Sequence, residues 1–125
     1  MIARVLLPAL CLGLSACASL PDDRLDDWAK FGERARTGDI VVRPDRLVED
    51  SRCPMNARCV WAGRVVIDAT VWAEGARRTV RLESNKPLAL GSGELAIAEI
   101  RPDSFMTNAK PRRADYTFRF TFNWR

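Results

Sequence analysis

The sequence has no histidine. That removes the usual general base and the commonest metal ligand, and with them Ser-His-Asp and Cys-His catalysis. There is no P-loop and no dinucleotide-binding glycine pattern, so no cofactor is expected. No apolar run approaches the roughly 20 residues that a permanent transmembrane helix needs. No internal repeat and no low-complexity run occurs. The charge balance, 20 Lys and Arg against 16 Asp and Glu, is only mildly basic at +4. It does not point to a nucleic-acid binder.

The N-terminus carries what the rest lacks. Arg4 supplies a positive charge, Val5 to Gly13 is apolar apart from Pro8, and Leu14-Ser15-Ala16-Cys17 follows. A basic end, a short apolar core and small residues before a cut site define a secretory signal. The Leu-Ser-Ala-Cys ending resembles the lipobox of bacterial lipoproteins. The resemblance implies that residues 1–16 are removed, that Cys17 takes a diacylglycerol on its sulfur, and that its new amine is acylated. An ordinary signal peptide cut near Ala18, with Cys17 incidental, is the alternative. Two or more acyl chains anchor a domain stably, so the expected partner of Cys17 is a membrane. Ala18 stands where an Asp resembles the inner-membrane retention signal, which favours the outer membrane of a Gram-negative cell, facing the periplasm.

Four cysteines are present. Cys11 lies in the signal and Cys17 at the lipid site, which leaves Cys53 and Cys59. An exported chain meets an oxidising compartment, so these two are expected to pair. A redox role would call for Cys-x-x-Cys spacing beside a helix, and neither is present.

Residues 17–30 read as a lipidated linker with Asp22, Asp23, Asp26 and Asp27 around Leu25 and Trp28; an amphipathic helix from Pro21 is the other option. The acidic cluster lacks the spacing and glycine of a calcium loop. Residues 31–125 read as one β-domain. Thr37-Gly38 separates two hairpin arms, with a helix stopped by Gly38 competing for the first. Pro44 is expected to end the second. From Cys59 to Trp72, Val65, Ile67, Ala69 and Val71 alternate with Val66, Asp68, Thr70 and Trp72, the period-two pattern of a half-buried strand. Glu74-Gly75 turns the chain into an antiparallel partner carrying Val80 and Leu82. Asn85-Lys86-Pro87 breaks it, Gly91-Ser92-Gly93 turns, and Glu94 to Ile100 is a further strand that stops at Pro102. After a polar loop, Tyr116, Phe118, Phe120, Phe122 and Trp124 share one face of a final strand. Short strands with turns between them imply an all-β fold, a small antiparallel β-sandwich or partly open barrel.

The most distinctive stretch is Asp50-Ser51-Arg52-Cys53-Pro54, a short loop, then Cys59-Val60-Trp61-Ala62-Gly63. It resembles a pattern of small uncharacterised bacterial exported proteins. The resemblance implies a shared β-fold and carries no activity. Asp50 and Ser51 are expected to fix a turn. Arg52 is expected to pair with Asp50 or Glu49, or to lie over Trp61, which is expected to pack beside the disulfide. Gly63 permits a bend.

Arg52, Met55, Asn56 and Arg58 are candidate contacts of an exposed, rigid recognition loop; the same loop held only for structure is the plainer reading. Lys110, Arg112 and Arg113 form a basic loop that could meet an anionic glycolipid. Asp50 with Glu49 or Asp68 is the only carboxylate pairing that suggests hydrolysis. A non-enzymatic binding module with an envelope-protein partner ranks first. A protease-inhibitor-like module using Arg58 or Met55 ranks second, and a carboxylate hydrolase last.

Overall fold

A computed structural model describes residues 25–125. The expected signal peptide and Cys17 lie outside those residues. The fold is a sandwich of two four-stranded antiparallel sheets that do not close into a barrel. One sheet runs in the order β1 (Trp28–Lys30), β8 (Thr117–Trp124), β7 (Gly93–Arg101), β6 (Leu88–Leu90). The other runs β2 (Ala35–Thr37), β3 (Ile40–Asp50), β4 (Val65–Ala73), β5 (Ala76–Glu83).

Alternation builds the core. Val65, Ile67, Ala69 and Val71 of β4 are fully buried, joined by Val42 and Leu82 from the neighbouring strands. Leu95 and Ile97 of β7, with Phe118 and Phe120 of β8, cover them from the opposite sheet. The aromatic face of β8 stacks along itself: the rings of Tyr116 and Phe118 are 5.9 Å apart, and Phe31 meets Phe118 edge-on at 5.1 Å. Such offset and edge contacts add to the large area each ring buries. At the strand end the face leaves the core, and Trp124 is exposed.

The turns gather at two ends. The hairpin end holds Gly38-Asp39, Glu74-Gly75 and Gly91-Ser92. Glu74 and Gly75 both have positive φ, 51° and 73°, the geometry that two-residue hairpins require. The loop end holds the β3–β4 and β7–β8 connections.

Three expectations need correction, and one competing option, the helix stopped by Gly38, gives way to the expected hairpin. The linker does not extend to Lys30, because Trp28–Lys30 pair with Arg119–Thr117 as an edge strand. No helix runs into Gly38 through the described residues; Ala35–Thr37 are extended and pair with Ile40–Val42. Pro44 does not end its strand. Its carbonyl accepts from Gly32 N–H at 2.8 Å, so the absent N–H faces an edge where a loop, not a strand, lies alongside. A bulge at Asp45 follows, and β3 continues to Asp50. Finally, β4 begins at Val65 rather than Cys59.

Candidate functional site

Two long connections meet at the loop end. The β3–β4 connection contains the Cys53–Cys59 disulfide, with Cα atoms 5.8 Å apart. The β7–β8 connection runs from Pro102 to the short 3-10 turn Arg113–Asp115. Hydrogen bonds join them. Met55 N–H donates to Phe105 O at 2.9 Å. Asn56 clamps Thr107, its amide N donating to the hydroxyl and its amide O accepting from the backbone N–H, both at 2.9 Å.

Under this double loop lies a charged hub. Arg52 Nε and Nη2 donate to the two oxygens of Asp50 at 2.9 and 2.8 Å. Arg52 Nη1 donates to Pro102 O at 2.7 Å, and its guanidinium lies 5.4 Å from the Phe105 ring centre. Tyr116 Oη donates to the Asp50 carboxylate at 2.6 Å. Burial pushes the Asp50 carboxyl up, but the Arg52 and Tyr116 hydrogen bonds outweigh it and hold it below the usual carboxylate range. Burial, and then donation to Asp50, pushes the Tyr116 phenol well above its ordinary range. Arg52 therefore pairs with Asp50 and does not reach over Trp61. Gly63 sits so close to the hub that a Cβ there would lie 2.2 Å from Ser51 O and 2.4 Å from Arg52 Cα. The glycine is a close-approach site more than a bend.

What the hub supports is an apolar, exposed rim. Met55 is 71% exposed, Val60 99% and Trp61 59%. Trp61 was expected in the core beside the disulfide. Instead its indole N–H donates to Ser51 O at 3.1 Å and its ring faces outward. The disulfide loop lies beyond the last core row, so no second sheet is there to cover it. Beside it is an open groove of about 750 Å³ floored by Pro102, Phe105, Met106 and Pro111, with Lys110 and Arg112 on its rim.

The candidate residues separate accordingly. Met55 and Arg58 are exposed on the loop. Arg52 and Asn56 are engaged within the protein, in the hub and the Thr107 clamp. Lys110 and Arg112 line the groove, with Arg112 also beside Asp115 at 3.4 Å. Arg113 is not with them. It donates to Asp45 O at 3.2 Å and lies 5.0 Å from the Phe31 ring centre, securing the loop to β3.

The carboxylates are not gathered over a cleft. Glu49 bonds Arg64 at 2.8 Å. Asp68 lies on the outer sheet face between Arg46 and Arg81, whose hydrogen bonds hold its carboxyl below the usual range. Asp50 is committed to the hub.

Val60, Trp61 and Met106 were missed as surface residues. The signal that could have found Val60 and Trp61 is the run Val60-Trp61-Ala62-Gly63, where apolar residues are contiguous rather than alternating. No family model, curated protein or solved structure matches the chain at a significant level.

Proposed function

We propose that this chain is a non-enzymatic binding module of the cell envelope, tethered through lipid on Cys17, that receives a protein partner at its loop end. The observation carrying this reading is the exposed trio of Met55, within a covalently closed loop, and Val60 and Trp61, just beyond it. Adjacent apolar side chains held out in water are unfavourable unless something covers them, and such patches mark interaction sites. The hub and the Asn56 clamp fix the loop before docking, which lowers the entropy lost on binding. Trp is the residue type most often found at the energetic centre of an interface. Arg58, Lys110 and Arg112 set the chemistry of the partner: an apolar segment flanked by acidic side chains.

The test places a photo-crosslinking residue at Arg58 in the native envelope. A discrete adduct with one protein, abolished by Trp61→Ala, is the expected result. Absence of an adduct, or one indifferent to Trp61, would reject the reading.

Exposure of Met55 and Arg58 also suits a protease-inhibitor loop. The backbone is less favourable to it. Ala57 N–H donates to Pro54 O at 3.1 Å, closing a turn, whereas a segment recognised by strand addition is extended. Inhibition of a protease that survives Arg58→Ala and Met55→Ala would end that alternative.

A further inference from the structure

The outer face of the β3–β4–β5 sheet is a lattice of rows set by strand register. From the loop end they are Glu49, Val66, Glu83; then Arg46, Asp68, Arg81; then Arg43, Thr70, Thr79; then Val41, Trp72, Arg77. The first two rows balance their charge. Arg64 bridges Glu49 and Glu83 at 2.8 and 2.9 Å, and Asp68 sits between two arginines. The last two rows do not. Their lattice positions hold no carboxylate, and Asp45, from the bulge in β3, is the acid that contacts them. It accepts from Arg43 Nε at 2.6 Å and from the Thr70 hydroxyl at 2.6 Å.

Against that one carboxylate stand Arg34, Arg43 and Arg77. Arg34 and Arg43 lie 4.6 and 5.4 Å from the Trp72 ring centre, which holds both guanidiniums near the sheet. Arg77 and Arg78 make no ion pair among the described residues, and neither does the Thr79 hydroxyl have a hydrogen-bond partner there. Arg43, Thr70, Arg77, Arg78 and Thr79 surround a depression of about 390 Å³ with a mainly polar wall. Arg43, Arg77 and Thr79 present their side chains on this outer face, whereas Arg78 is opposite the buried Val71 and so alternates to the other face of β5.

We infer that this depression is a binding site for a phosphate monoester. The reasons are chemical. Guanidinium forks match the oxygens of a tetrahedral oxyanion. The Thr79 hydroxyl completes the donor set at a shorter reach, while the Thr70 hydroxyl gives its proton to Asp45 and accepts from Arg43. Asp45 accepts from Arg43 Nε at 2.6 Å and Thr70 from its Nη2 at 3.2 Å, so one edge of the guanidinium is fixed before the anion arrives and Nη1 has no hydrogen-bond partner among the described residues. The site lies on the sheet face and toward the hairpin end, away from the loop end, and it stands or falls independently of partner docking there.

The test titrates inorganic phosphate into the purified full chain in non-ionic detergent and reads the arginine Nε–H resonances by NMR. Saturable shifts at Arg43 and Arg77, with affinity read at Arg43 weakened by about tenfold in Arg77→Ala and unchanged in Arg78→Ala and Arg58→Ala, support the site. A second arm uses vesicles of phosphatidylcholine with and without phosphatidic acid. Binding that needs phosphatidic acid and Arg77 assigns the monoester to a lipid headgroup; shifts with phosphate alone assign it to a soluble ligand. Shifts that chloride reproduces at equal ionic strength, or no response in either arm, overturn the inference. Arg77 and Arg78 are exposed, so their removal leaves the fold intact, and the NMR spectrum itself reports that.

Discussion

Tyr116 Oη donates a 2.6 Å hydrogen bond to Asp50 Oδ2, and in doing so ties the two sheets together at the loop end. Asp50 closes β3 in one sheet. Tyr116 leads into β8 in the other. Arg52 grips the same carboxylate with two nitrogens and reaches Pro102 O with the third. One buried charge therefore organises the ends of two strands and both long connections. Above it are the exposed Val60 and Trp61, so the hub converts sandwich rigidity into loop rigidity.

Removing the cation should expose how much rests on it. The side chains of Asp50 and Arg52 are only 8% and 17% exposed. Arg52→Ala strands a buried carboxylate, a change that typically costs about 3–5 kcal/mol. Chemical denaturation should show that loss, while Arg58→Ala, on the exposed loop, stays within about 0.5 kcal/mol of the parent. Adding Asp50→Ala to Arg52→Ala should cost less than the two single changes summed, because the stranded charge is then gone.

The same hub sets two pH limits. Asp50 has its folded pKa depressed below the ordinary 3.8. Its stabilising share is full above that value and is lost as pH falls through the lower folded value. Tyr116 is the opposite case, with its folded pKa raised above the ordinary 10.0. Its share is full below 10.0 and is lost as pH rises through the raised value. Stability should be flat between these limits as far as the hub is concerned. Tyr116→Phe should remove the hub's alkaline decline, and it should cost about 1–3 kcal/mol at neutral pH because Asp50 loses a donor. Urea midpoints measured across the pH range check both limbs. An alkaline decline identical in parent and variant would show that Tyr116 does not control it.

How far the sequence disclosed this arrangement depends on the range of the interaction. The alternating β4 and β8 faces were legible because period two is local and each core residue announces itself. The pairing of Cys53 with Cys59 was legible from the cysteine count together with the expectation of export. The Asp50–Arg52 pair was among the options two residues apart. Tyr116 and Pro102 as their partners were not, since those contacts join residues 66 and 50 positions apart. Trp61 was misplaced for a related reason. Its type argues for burial, but whether anything covers it depends on where the opposite sheet ends. Pro44 was misread because a proline is tolerated wherever the adjoining strand has already stopped, and the length of β2 is a tertiary fact.

Gly63 offers a test of close approach. A methyl group there would meet Ser51 O at 2.2 Å and Arg52 Cα at 2.4 Å, both backbone atoms. Backbone cannot turn aside as a long side chain can. Gly63→Ala should therefore cost at least the 1–3 kcal/mol typical of overpacking, and it should displace the hub. A thermal melt reports the first effect. The second should appear as faster hydrogen exchange at Ser51 and Arg64, whose N–H groups are held at 2.9 Å by Arg64 O and at 3.1 Å by the Ser51 hydroxyl. A variant as stable and as protected as the parent would contradict the contact.

The disulfide should separate stability from recognition. Neither cysteine belongs to the core, and the loop that they close is short, with a sequence separation of 6. Chain entropy assigns such a crosslink about 2–2.5 kcal/mol. Cys53→Ser/Cys59→Ser should therefore lower stability by no more than that and leave the sheet signature in far-ultraviolet circular dichroism intact. The rim should suffer more. Met55, Val60 and Trp61 lie within or just beyond the closed ring, and hydrogen bonds such as those to Phe105, Thr107, Ser51 and Pro54 would be left to restrain them. Loss of the crosslink between Arg58 and its partner, in a chain that remains folded, is the expected outcome. Trp61→Ala should reproduce it without the stability change, because its ring is more exposed than buried. If the double serine variant kept its partner while Trp61→Ala lost it, docking would depend on the indole alone and not on the closed loop that holds it.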